Sequence, residues 1–390
     1  MLLIVLLGTL IATIVGIISG LIPGLHINNI IYLISSANIS LEIKAIVFIL
    51  SSVVFCFISI IPATIFSIPN TDNFVSTMPA QKLFLRGKGF YAIYLYCTGA
   101  INAIIFGLPL IALFLVLLKY LPTAINLLTP FVLLIGLACL FFQTKNYFGY
   151  LIIIFSGLVG YFSLQFAFVE NPLLVIVSGL FGASNILFAM QNKIKLPKQS
   201  LYIEKIDLIT KIKVGVISPC LSIFVSLFPG LGNGFATYFG TKLAQIKEEG
   251  YILMNGAINV LVMILSFFCV YFIGKTRTAS AVFFENFTKN TFVFSFGWIL
   301  FFCLIGVVLG YFLTIYLSKK ILVLAQNFNY KIINILILAF LHLIVLLFSN
   351  FLGLVVFWVC TLIGYLCIRT ENPRLLMISC IIVPVLIYFV

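Results

Sequence analysis

The sequence predicts an all-α polytopic membrane protein built as two inverted repeats, each a Pro-Gly-broken re-entrant helical hairpin plus about five transmembrane helices. Three observations lead there. Hydrophobic residues make up 63% of the 390 and charged residues only 8%, where soluble domains carry roughly a quarter charged. Apolar runs of membrane-spanning length alternate with short polar clusters along the whole chain. The same broken apolar motif opens both halves.

The net charge of +13 comes from 22 Lys and Arg set in clusters between apolar runs. That distribution argues against a nucleic-acid face and reads as a topology signal. All nine Cys lie inside apolar segments without a CxxC pair, so they read as small core hydrophobes. No Lys or Arg precedes Lys44, so the first apolar run lacks the basic start of a secretory signal and is expected to be retained.

Cutting the chain at its polar clusters gives spans near 44–68, 89–118, 122–142, 147–168 and 172–191. After the linker come spans near 251–273, 291–316, 331–349, 350–368 and 375–390. Residues 1–192 are thus the first membrane repeat, 193–213 a basic cytoplasmic linker with six Lys, and 214–390 the second repeat.

Each half opens with a run interrupted by Pro and Gly: GIISGLIPGLHINNIIYLISS from Gly16 and SPCLSIFVSLFPGLGNGFATYFG from Ser218. Aligning Pro23, Gly24 and Leu25 with Pro229, Gly230 and Leu231 fixes an offset of 206 residues, the mark of an internal repeat. Small residues recur every fourth position before each break, at Gly16 and Gly20 and at Ser218, Ser222 and Ser226. If the second run crossed the membrane, Lys242, Lys247, Lys319, Lys320, Lys331, Arg369 and Arg374 would all face outward, against the positive-inside rule. As a re-entrant hairpin it places all seven inside, with the linker and with Lys82, Arg86 and Lys88.

Pro lacks a backbone donor and Gly tolerates unusual dihedrals, so each break frees N–H and C=O groups at membrane depth. The half-helix after each break points its positive end into the gap, a generic anion site. His26, Asn28 and Asn29 follow the first break; after Gly232, Asn233, Thr237 and Tyr238 follow the second. The plainer reading is that the small-residue spacing is only a helix-packing face and PG only a kink.

A second constellation, PNTDNFVSTMP, places Asn70, Thr71 and Asp72 between Pro69 and Pro79. It reads either as a solvated loop or as an unwound segment in which Asp72 binds a coupling Na⁺ or H⁺. In GKTRTAS from Gly274, Lys275 and Arg277 either neutralise an anionic substrate or touch lipid headgroups. His342, alone in an apolar span, reads as a helix-contact residue. No metal cluster, catalytic grouping or phosphate loop is evident, so the chain is not expected to be an enzyme and no cofactor is implied.

At GIISGLIPGLHINN, SIPNTDNFVSTMPAQKLFLRGKGFYAIY and SLFPGLGNGFATYFGTKLA, in this order and spacing, the sequence resembles the large membrane subunit of the tripartite tricarboxylate transporter family, in its divergent archaeal-type form. The resemblance implies an inverted-repeat carrier that moves a carboxylate inward with an ion gradient, in the cytoplasmic membrane. It also implies a small membrane subunit and an extracytoplasmic binding protein as partners. Gly24, Leu25, Gly230 and Gly232 then fall at the hairpin tips, with Asn70, Thr71 and Asp72 beside them. The chain departs from the family pattern in reading PGLHINN after the first break and PNTDN in place of a Pro-Gly pair. The rival expectation is a translocase of an anionic lipid such as a polyprenyl phosphate, since the same helix ends would hold a phosphate headgroup.

Overall fold

The computed structural model describes residues 2–22, 27–66, 78–118, 122–166, 168–191, 197–274, 276, 278–288, 295–325 and 330–389. Among them every regular element is helical. The first half runs α1 (Leu2–Leu21), α2 (Ile27–Ser36), α3 (Leu41–Ile58), α4 (Ile60–Phe66), α5 (Met78–Leu85), α6 (Gly89–Leu118), α7 (Pro122–Phe141), α8 (Tyr147–Gln165), α9 (Pro172–Val177) and α10 (Ser184–Gln191). A π-helical turn, Ser178–Ala183, joins the last two. The second half runs α11 (Leu208–Leu227), α12 (Asn233–Ala244), α13 (Glu248–Ile273), α14 (Ala279–Thr288), α15 (Phe296–Ala325), α16 (Tyr330–Phe348), α17 (Phe351–Arg369) and α18 (Ser379–Phe389), the last preceded by a 3₁₀ turn.

The element order repeats. Moved by 206 residues, α1 falls on α11 end to end and the start of α2 on the start of α12; α6 then lies one residue from α15. Ten described helical segments are long and apolar enough to cross a membrane. They are not the ten expected from polar punctuation. Leu2–Leu21 and Leu208–Leu227 are full-length, whereas the expected spans near 122–142 and 375–390 supply only shorter apolar helices among the described residues. The linker also ends early, because the Asp207 carboxylate caps α11 by accepting from Thr210 N at 3.0 Å. Leu208 to Lys213 are therefore helix.

Helices α3 and α13 form the centre. The stretch 44–65 is buried throughout and α13 over most of its length, while α1, α8, α15, α16 and α17 turn wide apolar faces outward, as lipid contact requires. In α1 the four-residue spacing of small residues is a packing face. Gly8 lies against Ile46, Gly16 against Val54 and Gly20 against Ile58. A methyl group on Gly16 would sit 2.8 Å from Val54 Cβ, so only glycine lets the backbones approach this closely. The constant separation of 38 residues in these pairs means that α1 and α3 run the same way.

The start of α11 and the end of α12 lie together. Lys213 Nζ, near the start of α11, donates to Ala244 O at the end of α12 at 2.9 Å. Around that end of the bundle lie Lys82 and Arg86, paired with Glu248 at 3.3 and 3.6 Å, and Lys88, paired with Glu204. Lys242 donates to Gln143 at 3.1 Å, Lys145 N to Asn372 at 3.1 Å, and Lys319 stands over the Phe90 ring. At the other end, Asn171 reaches Phe348 O and Asn350 reaches Phe168 O. The basic turns thus gather at one end of the bundle.

Candidate functional site

The second break is fully described. Residue Phe228 ends α11 in an extended conformation, Gly230 takes φ +90°, and Gly232 precedes the first turn of α12. A side chain at Gly230 would be strained by that dihedral and would meet Leu133 and Val385. Asn233, 3% exposed, opens α12 and donates through Nδ2 to Asn259 Oδ1 at 3.0 Å. Since Asn259 lies near the middle of α13, the start of α12 lies about halfway along the central helix.

From Asn259 the polar contacts continue. Its Nδ2 donates to Tyr96 Oη of α6, and Tyr96 Oη donates to the carbonyl of Cys56 in α3 at 2.9 Å. A second chain starts at the other broken element. Asn28, in the first turn of α2, lies 3.4 Å from Ser280 Oγ, which is 2.9 Å from Ser52 Oγ. Ser52 and Cys56 are one turn apart on α3. The starts of the two short helices therefore connect, by short polar chains, to neighbouring turns of one buried helix.

Of the residues predicted for the site, Asn28, Gly230, Gly232 and Asn233 are thus brought to these two breaks. Gly24, Leu25, His26, Asn70, Thr71, Asp72 and Arg277, and the side chain of Asn29, lie outside the described residues. The flanks of GKTRTAS have capping roles: Gly274 ends α13 with φ +62°, and Thr278 Oγ1 accepts from Ala281 N at the start of α14. His342 donates through Nδ1 to Leu338 O and packs its ring on Phe357 and Trp358, a helix-contact role. Among the described residues no three His, Cys, Asp or Glu side chains group as metal ligands.

Sequence reasoning missed Asn255, Asn259, Tyr96, Ser52 and Ser280. A signal existed for the first two: MNGAIN puts two amides one turn apart inside an apolar span, where polar groups are costly unless they are partnered or used. Nothing in the sequence marks Tyr96.

A multi-pass helical membrane protein in which two short helices start beside a buried central helix is of a class that includes secondary carriers. The chain matches the family described as "Tripartite tricarboxylate transporter TctA family" over residues 6–379 and belongs to it. It is 26% identical over 348 residues to an uncharacterized protein of Methanocaldococcus jannaschii, covering 85% of each chain. No solved structure matches.

Proposed function

We propose that this chain is the permease of an ion-coupled carrier for a small organic anion, a carboxylate, held between the starts of α2 and α12. The observation that carries the reading is the depth of the second break. The start of α12 stands beside Asn259, midway along α13, and a helix start offers unpaired N–H groups and a positive dipole end to an anion. Gly230, Gly232, Asn233 and Asn28 belong to this site, with Gly24, Leu25, His26, Asn29, Asn70, Thr71 and Arg277 proposed around it. Asp72 is proposed as an ionisable coupling group.

The two halves are proposed to be inverted, with α1–α2 and α11–α12 as re-entrant elements. Support comes from the central helices. Cys56 and Asn259 both bond Tyr96 Oη. Toward the start of α3, Ser52 meets Ser280 in α14, and nearby Thr278 lies 3.4 Å from Ser266, toward the end of α13. The equivalent helices α3 and α13 therefore run in opposite directions. The basic end is assigned to the cytoplasm by the positive-inside rule. Residues 1–192 and 214–390 act as the two halves of the carrier, and a small membrane subunit and an extracytoplasmic binding protein are the expected partners.

The test is uptake of labelled mono-, di- and tricarboxylates by cells expressing the chain with its partners. Gly24→Leu and Gly230→Leu are expected to abolish uptake while each variant still inserts in the membrane. Normal uptake in both would remove the anion from the helix starts.

A further inference from the structure

The chain of hydrogen bonds at the second break has a forced direction. The Cys56 carbonyl can only accept, so Tyr96 Oη spends its hydrogen there. Tyr96 must then accept from Asn259, which fixes Nδ2 on that side and turns Asn259 Oδ1 toward Asn233. Asn233 must answer with Nδ2, and its own Oδ1 is left over. That oxygen is buried and has no partner. An amide flip cannot relieve it, because reversing any one amide sets two donors or two acceptors face to face.

A second such oxygen lies close by. Helix α12 runs back along α13, since Asn233 bonds Asn259 while a methyl group on Gly240 would meet Met254. Asn255 lies between those two contacts, one turn from Asn259, at 1% exposure, and its Oδ1 also has no partner. Thr237 lies on the facing stretch of α12 and is fully buried; its hydroxyl hydrogen is committed to Asn233 O at 2.8 Å, so toward α13 it offers only lone pairs. Two unmet amide oxygens and a hydroxyl with spare lone pairs thus fall along one buried interface, and leaving the amide oxygens unmet costs about 1–3 kcal/mol each.

The other half gives an independent comparison. At the offset of 206 residues, Asn233, Thr237, Asn255 and Asn259 correspond to Ile27, Ile31, Ile49 and Val53, all buried and apolar. The repeat therefore packs these positions without polar groups, and packing does not call for amides in the second half.

We propose that Asn233 Oδ1, Asn255 Oδ1 and Thr237 Oγ1 form a site for a dehydrated monovalent cation such as Na⁺. Neutral carbonyl and hydroxyl oxygens suit a single charge, whereas divalent cations favour carboxylates. The acidic residues of α13, Glu248 and Glu249, stand at its start. An anion would face lone pairs at this spot. A cation here would lie beside the first turn of α12 and would raise the affinity of an anion bound at the helix start, and the anion would raise that of the cation equally. The physiological meaning rests on the carrier reading, but binding of the ion to the purified protein does not.

The test is thermal unfolding of the full chain in lipid nanodiscs, titrated with NaCl or KCl against choline chloride at constant ionic strength and without any carboxylate. A saturable rise in Tm with Na⁺ or K⁺ but not choline is expected. Asn255→Leu should raise the half-saturating concentration at least about tenfold, the scale of a lost ligand-supporting group. Asn255→Asp, which keeps an oxygen and adds charge, should lower it. No cation-specific rise in the wild type, or a rise kept with unchanged half-saturation in Asn255→Leu, overturns the site. Carboxylate uptake is measured separately, so failure of either proposal shows by itself.

Discussion

Helices α1 and α11 hold equivalent places in the two halves, yet they meet their neighbours by different means. Toward the core α1 presents Gly8, Ala12, Gly16, Ser19 and Gly20, and its glycines let it lie directly on the side chains of α3. At three matching positions α11 presents Ser218, Ser222 and Ser226. Ser218 and Ser222 return their hydroxyl hydrogens to the carbonyls four residues back, at 2.6 and 2.7 Å, so they pack as small residues with little polar character. Ser226, next to the break, has no such partner. The first broken element is thus anchored by dry backbone contact. The second becomes polar as it nears its tip and continues into Asn233, Asn255 and Asn259.

The sharpest way to break this comparison is topological. If both elements double back, single cysteines at exposed positions 247 and 320, in a Cys-free background, stay unlabelled by an impermeant thiol reagent in intact cells, while one at 170 is labelled. Labelling at 247 and 320 with protection at 170 would reverse the sidedness. Labelling at 247, 320 and 170 alike would mean that α11 and α12 cross as a single span.

Stability should separate the two elements next. Gly16→Leu forces a side chain into Val54 and the Ser51 carbonyl and should cost about 1–3 kcal/mol or more, read as a lower Tm in detergent. Ser222→Ala removes only a back-bonded hydroxyl and should change stability by less than about 1 kcal/mol. Equal losses would mean that the two faces are held alike.

The smallest expected effect lies at the start of α11. The Thr210 backbone N–H bonded to Asp207 holds its carboxyl below the ordinary carboxylate range. A lowered folded value means that the cap stabilises fully above the ordinary carboxylate pKa and is lost as pH falls through the folded one. The Tm difference between wild type and Asp207→Ala should therefore be largest at neutral pH and close on acidification. A difference independent of pH would mean that the carboxylate does not cap the helix.

The Pro-Gly-Leu elements were legible because two copies at one offset cannot be explained by local packing, and the short helices begin where those breaks predict, at Ile27 and Asn233. The long first arms were not. Leu2–Leu21 has no charged cluster before it to punctuate it, and Lys211 and Lys213 made the first turns of α11 look like linker. The spacing of small residues before the breaks left two readings open, and contact with Val54 and Ile58 decides for packing in α1.

By itself the sequence determined the solvent, the repeat and the place of the breaks, because hydropathy, the Pro-Gly signal and the 206-residue offset are local properties of the chain. Only the tertiary structure decided which amides matter. Asn255 and Asn259 look alike in sequence, but Asn259 is tied between Tyr96 and Asn233 while Asn255 keeps an unmet oxygen. The Cys56 carbonyl on α3, far away in sequence, sets that direction, and a hydrogen-bond direction belongs to the assembled helices rather than to any one of them.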